Sequence, residues 1–234
     1  METNEFLEYL KKLNVEINDE KLFQLQKYYE LLVSWNKKIN LTSITEKKDV
    51  YLKHFYDSLT ITQIIDLNYE ESLCDIGTGA GFPGIVLKIF FPHLKVTLVE
   101  SLNKRVIFLK EVIQTLQLKD IEVICERAED YAKRIRDKFD VVTSRAVANL
   151  YILLEYSIPL VKVHKYFIPM KGRLDEMDNI NIASKELNIK LIERKEFNLP
   201  IEESVRNLLK FEKLQETNLK YPRKYNDIKK KPLH

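Results

Sequence analysis

The sequence predicts an α/β fold: a doubly wound, mostly parallel sheet preceded by an N-terminal run of helices. Three observations carry this reading. From Ser72 onward, short apolar runs of strand length alternate with stretches of helical periodicity. One run, Ser72–Ile76, contains Asp75 and passes into Gly77, Gly79 and Gly81 at alternate positions, then Gly84 and the apolar segment IVLKIF. A strand, a tight glycine turn and a helix start in that order mark the place where doubly wound sheets bind nucleoside ligands. A second run, Lys95–Glu100, then ends in an acid about 20 positions beyond the glycines, the usual place of a carboxylate that accepts from ribose hydroxyls.

The elements follow in order. Residues 3–35 read as helices, with Phe6, Leu7 and Leu10, then Leu22, Leu25, Tyr28, Tyr29 and Leu32, at helical spacing. Asn18-Asp19-Glu20 supplies a cap for the second. A polar loop over Asn40–Thr45 precedes another helix over Asp49–Leu67. Strands are expected at Ser72–Ile76, Lys95–Glu100, Ile121–Cys125, Phe139–Ser144, Tyr166–Met170, Lys190–Phe197 and Arg206–Lys213. Helices are expected at Gly84–Phe91, Leu102–Leu116, Glu129–Arg136, Ala148–Leu160 and Asp178–Glu186, and Pro83 suits the first turn of its helix. The last two strands follow each other without a helix, so one strand of the seven runs antiparallel. The expected division is a helical extension over 1–67 and a ligand-binding domain over 68–234.

Composition narrows the class. A chain of 234 residues, 45% hydrophobic and 31% charged, can bury one good core and describes an ordinary soluble globular protein. No apolar run approaches 18 residues, and the acidic, amphipathic N-terminus is unlike a signal peptide, so the expected location is the cytoplasm. Cys74 and Cys125 both fall in predicted strands and lack metal-type spacing; buried, reduced thiols are expected, with no metal. The net charge of +3 is uneven. Residues 204–234 hold nine Lys/Arg against three Asp/Glu, leaving 29 against 32 elsewhere. That basic tail suits a polyanion, with a solvated lysine-rich end as the plainer alternative.

The ligand is narrowed by what the loop lacks. A dinucleotide fingerprint requires glycine where Phe82 stands, and no Gly-Lys-Ser/Thr is present to cradle phosphates. A carboxylate just before the glycines repels a pyrophosphate and suits a ligand carrying cations and hydroxyls. S-adenosylmethionine, with an ammonium, a sulfonium and a ribose diol, fits. Ligands of such sheets sit at the carboxyl ends of the strands, which collects Asp75, Gly77, Gly79, Gly81 and Phe82; Glu100, Ser101 and Leu102; Ala128 and Glu129; and Arg145. Arg145 closes an apolar strand and is the candidate for positioning the reacting group, with a structural salt bridge as its alternative. The segment after that strand, Thr143-Ser144-Arg145-Ala146, has neither the Asp/Asn-Pro-Pro-aromatic pattern used on exocyclic amines nor the cysteine used on pyrimidine carbon. A target with an exposed lone pair, such as guanine N7, needs neither.

Over nearly its whole length the chain resembles the bacterial family of small-subunit ribosomal RNA guanine-N7 methyltransferases (RsmG, or GidB). The resemblance rests on Trp35-Asn36-Lys37-Lys38-Ile39-Asn40-Leu41-Thr42, His54-Phe55-Tyr56-Asp57-Ser58-Leu59, Asp75 to Gly84, Leu98-Val99-Glu100-Ser101 with Lys104-Arg105, Arg127-Ala128-Glu129, Thr143 to Ala146, Lys171-Gly172, and Tyr221-Pro222-Arg223-Lys224 with Lys231-Pro232-Leu233. It implies a Rossmann-like class I S-adenosylmethionine-dependent methyltransferase that modifies one guanine in the decoding-region loop of 16S rRNA, with methylation of another RNA or a small molecule, or a non-catalytic RNA-binding sensor of the same ligand, as the alternatives. The expected partner is 16S rRNA or the 30S subunit, and the expected state is a monomer. Phe167-Ile168-Pro169-Met170 departs from the family's more Ala/Leu-like strand. Asn36, Lys37, Asn40, His54, Lys104, Arg105, Lys171, Arg173 and Arg223 are the candidates for RNA contact. Trp35 reads equally as a packing residue, His54 and Asp57 as a helix-surface pair, and Lys104-Arg105 as a solvated face.

Overall fold

The computed structural model describes residues 1–174, 177 and 180–234. Its centre is one seven-stranded sheet in the order β3-β2-β1-β4-β5-β7-β6, formed by β1 (Ser72–Ile76), β2 (Lys95–Glu100), β3 (Ile121–Cys125), β4 (Phe139–Arg145), β5 (Val161–Lys171), β6 (Ile189–Asn198) and β7 (Val205–Lys213). β1 pairs in parallel with β2 and β4, whereas β7 lies between β5 and β6 and runs antiparallel to both. The strand order reverses between β1 and β4, which opens a crevice at their carboxyl ends.

Side-chain alternation sends each strand into two cores. Leu73, Leu98, Val141, Ile168 and Leu208 face one side, and pack with α1 (Thr3–Lys12), α2 (Asp19–Asn36), α5 (Gly84–Phe90) and α6 (Asn103–Thr115). Cys74, Val99, Val142, Phe167, Leu209 and Phe211 face the other, under α7 (Ala128–Arg134), α8 (Leu150–Ser157) and α9 (Ile180–Leu187). The N-terminal helices thus share a continuous core with the sheet. Asn18 caps α2 by accepting from the Lys21 N–H. The predicted start of α9 at Asp178 lies outside the described residues. The basic tail folds back as α10 (Tyr225–Lys230), with Ile228 fully buried. No helix among the described residues is long and apolar enough to cross a membrane.

Two expectations are corrected. The helix expected over Asp49–Leu67 is broken into α3 (Lys47–Val50), a π turn (Tyr51–Tyr56), α4 (Asp57–Leu59) and a 3₁₀ turn (Thr60–Gln63). The hydroxyls of Ser58, Thr60 and Thr62 donate to the carbonyls of His54, Asp57 and Leu59, and so compete with the regular helical ladder. Cys125 is exposed, unlike Cys74, because β3 is an edge strand and Cys125 is its last residue.

Candidate active site

The glycine turn is built from below. Asp75 is fully buried, and its Oδ2 accepts from Thr78 Oγ1 (2.6 Å) and the Gly84 N–H (2.8 Å), tying the two ends of the turn together. Its Oδ1 has no partner among the described residues, and burial pushes its pKa up to about 7 against those two hydrogen bonds. Gly77 and Gly79 have φ of +64° and +62°, which other residues rarely adopt; a Cβ on Gly77 would also lie 2.9 Å from Val147. Gly81 is packed under Tyr28 and Ile85, away from solvent. The Tyr28 hydroxyl donates to the Ala80 carbonyl, so α2 holds the turn directly.

Glu100, at the end of β2, is nearly buried and accepts from the N–H groups of Gly79 (3.1 Å) and Leu102 (2.8 Å), with Arg105 at 3.5 Å. It lines a cavity of about 190 Å³ with Gly77, Ser101, Glu126, Arg127, Ala128, Glu129, Val147 and Ala148. Three carboxylates against one guanidinium make this a place hostile to phosphate and favourable to a cation carrying hydroxyls. Together with the open turn at Gly79 and the orphaned Asp75 oxygen, these residues fit S-adenosylmethionine, which Glu100 would hold by its ribose diol and Ala128 and Glu129 would flank at its base. Leu102 is exposed just outside this cavity.

A second, larger cavity of about 510 Å³ opens beside the first. Arg145 and Ala146 line the large cavity, and Val147 and Ala148 line the small one, so the carboxyl end of β4 stands between them. Ala146 makes this turn with a φ of +55°. The N-terminal π turn holds Arg145 in place. Its Nη1 donates to the Lys53 carbonyl (3.0 Å) and Asp57 Oδ2 (3.1 Å), its Nη2 to His54 Nδ1 (3.2 Å), and its guanidinium lies 5.2 Å from the Phe82 ring centre. Asp57 Oδ1 in turn accepts from Arg206 Nε (3.0 Å). His54 stacks on Phe82 at 4.4 Å between ring centres. Burial, reinforced by Arg145, pushes its pKa down to about 3, so the imidazole is neutral. With Nδ1 accepting from Arg145, the proton sits on Nε2, which donates to Thr42 Oγ1 (2.9 Å).

The remaining candidates divide. Lys171 lines the large cavity, donates to the Ala148 carbonyl (2.6 Å), and has its pKa lowered by burial. Lys37, Asn40, Lys104 and Arg173 are exposed, whereas Asn36 holds the following loop by accepting from the N–H groups of Leu41 and Thr42. Arg223 is engaged with the fully buried Glu155 (2.5 Å). Trp35 packs on Phe108, and His54 and Asp57 are buried against Arg145 instead of standing on a helix surface. Sequence reasoning missed Lys53 and Arg206, which line the large cavity, and Val147 and Tyr225, which line the small one. Arg206 had a visible signal, a cation near the start of the apolar run VRNLLKF.

Known proteins resemble this chain in sequence and in fold. The family model described as rRNA small subunit methyltransferase G matches residues 21–209. Proteins named ribosomal RNA small subunit methyltransferase G from Lysinibacillus sphaericus and Bacillus subtilis are each 44% identical, covering 100% of this chain and 100% and 99% of theirs. Among solved structures, M. jannaschii TYW2 in complex with AdoMet is 18% identical with a TM-score of 0.52 over 63% of this chain and 71% of that one. An Aquifex aeolicus SAM-dependent methyltransferase is 16% identical with a TM-score of 0.53 over 76% and 97%. These distant structures share the class I methyltransferase fold. Full-length identity, the family match and a cavity suited to S-adenosylmethionine make the chain a member of the family of rRNA small subunit methyltransferase G, enzymes that depend on S-adenosylmethionine.

Proposed function

We propose that the chain methylates N7 of one guanine in the decoding-region loop of 16S rRNA, presented by the 30S subunit, and works as a monomer in the bacterial cytoplasm. The observation that carries this reading is the pair of adjoining cavities divided by Arg145–Val147: an acidic one for the methyl donor and a larger one for the acceptor. The larger is lined by Lys53, Arg145, Lys171 and Arg206 against Asp57 and Glu202, a cationic excess suited to an RNA backbone. In A-form RNA a paired guanine shows N7 only in a deep, narrow groove, so the target base is looped out.

When bound, S-adenosylmethionine supplies an electrophilic methyl group on its sulfonium. N7 carries no proton, so its lone pair forms the new N–C bond while the C–S electrons return to sulfur, and no base is required. The residues match that economy. His54 is neutral, with Nδ1 occupied by Arg145 and its pKa at about 3, so it does not serve as a base. Arg145, fixed from several directions, sets the border at which the two reactants meet, and alignment of that kind is worth ~7 kcal/mol or more of the barrier.

The test is transfer from labelled S-adenosylmethionine to 30S subunits lacking the modification, read by nucleoside mass spectrometry and cleavage at 7-methylguanosine. Label at one guanine of the decoding-region loop is expected. Label in another nucleoside, or none despite demonstrated cofactor binding, would sink the assignment.

A further inference from the structure

The small cavity has one wall that no strand or crossover helix supplies. Tyr225 lines it together with Glu129, Val147 and Tyr156, although it belongs to α10, beyond the last strand. Its position is held from both sides. Two residues before it, Arg223 donates from its backbone N–H and Nε to Oε1 of the buried Glu155 (2.9 and 2.8 Å) and from Nη2 to Oε2 (2.5 Å). After it, Ile228 is fully buried, Leu233 is nearly so, and the His234 ring meets Tyr151 edge-on at 5.1 Å. Anchored this way, Tyr225 still remains 36% exposed, and Val147 on the same cavity 37%. Two apolar side chains left open on one cleft, next to a carboxylate at Glu129, match a flat ring whose faces are apolar and whose edge carries an amine.

The geometry points to Tyr225 as an aromatic wall for the purine ring of the methyl donor, so that the C-terminal tail completes the cofactor pocket. This rests on the assignment of the small cavity to S-adenosylmethionine. It gives the tail a second role beyond its charge. The ring packs against the base, Glu129 accepts from the exocyclic amine, and the Arg223–Glu155 pair keeps the ring in place.

The experiment uses the full chain and no RNA. Calorimetric titrations with S-adenosylmethionine and with 5′-methylthioadenosine, which lacks the amino-acid part, compare the unaltered protein with Tyr225→Ala and Tyr225→Phe. Tyr225→Ala is expected to weaken both ligands about tenfold or more, the scale of a lost aromatic–base stack. Tyr225→Phe should stay within about twofold, since the ring and not the hydroxyl supplies the stack. A second measurement reads the contact directly. The chain has one tryptophan, Trp35, on the opposite side of the sheet against Phe108. In Trp35→Phe/Tyr225→Trp the sole indole sits at the proposed wall, and its emission should change saturably with either ligand. Unchanged affinity in Tyr225→Ala, equal losses in Ala and Phe, or a silent indole in a protein that binds would each overturn the inference. Failure of the unaltered chain to bind either ligand would overturn the cofactor assignment beneath it.

Discussion

At the scale of single residues, two buried ionisable groups beside the glycine turn respond to pH in opposite senses. Asp75 has its pKa raised from 3.8 to about 7 by burial. Between those values the native state keeps a proton that the unfolded chain releases, so this contribution is complete below pH 3.8 and lost as pH rises to about 7. His54 is lowered from 6.5 to about 3, chiefly by burial and then by Arg145. The unfolded chain takes up a proton that the native state refuses, so this contribution is complete above pH 6.5 and lost as pH falls toward 3. From pH 4 to 6.5 the two nearly cancel. Urea unfolding of Asp75→Asn across that range should therefore show stability rising with pH, and His54→Gln should show it falling, each by up to about 1.4 kcal/mol per pH unit. Parallel curves for the two variants would show that neither group carries the shift assigned to it.

At the scale of elements, the tail is held by a charge pair that the sequence disguised. The net positive tail reads as a polyanion contact, yet Arg223 is turned inward to Glu155 on α8, which is fully buried. Removing one partner of such a pair strands a buried charge, whereas neutralising both is far milder. Arg223→Ala is expected to cost about 3–5 kcal/mol, and Glu155→Gln/Arg223→Ala distinctly less. Denaturant unfolding of these two variants and of Glu155→Gln alone closes the cycle. Additive losses would mean that the pair does not hold α10. The π turn teaches the same lesson from the other end of the chain. Hydroxyls at Ser58, Thr60 and Thr62 loosen the helix, and the loosened turn delivers the Lys53 carbonyl, His54 and Asp57 to one guanidinium.

For the whole molecule, the cationic excess around the larger cavity makes RNA affinity a function of salt. Lys104 is exposed on α6, and its loss should affect neither folding nor cofactor affinity. If it neutralises one phosphate, Lys104→Ala should weaken binding to 30S subunits at low salt. It should also flatten the slope of log affinity against log salt by about 0.7, the increment for one single-strand phosphate contact. An unaltered slope in filter-binding titrations would return Lys104 to the solvated surface.

How much of this was legible in the sequence depends on the range of the forces involved. Periodicity and turn chemistry are local, so the seven strands, the glycine turn and the acid that ends β2 at Glu100 could be read from neighbours along the chain. Strand burial beyond period two is not local: Cys125 reads as interior, and only the sheet order puts it on an edge. Nor is the joining of remote charges. Asp57 accepts from Arg145 and from Arg206, and nothing near Asp57 in the chain announces either partner. The sequence by itself determined the fold class, the family and the glycine turn, because these follow from short-range patterns of size, polarity and backbone freedom. Only the tertiary structure decided which cations face the larger cavity and which are tied to buried acids, because that choice is made by desolvation when distant segments pack together.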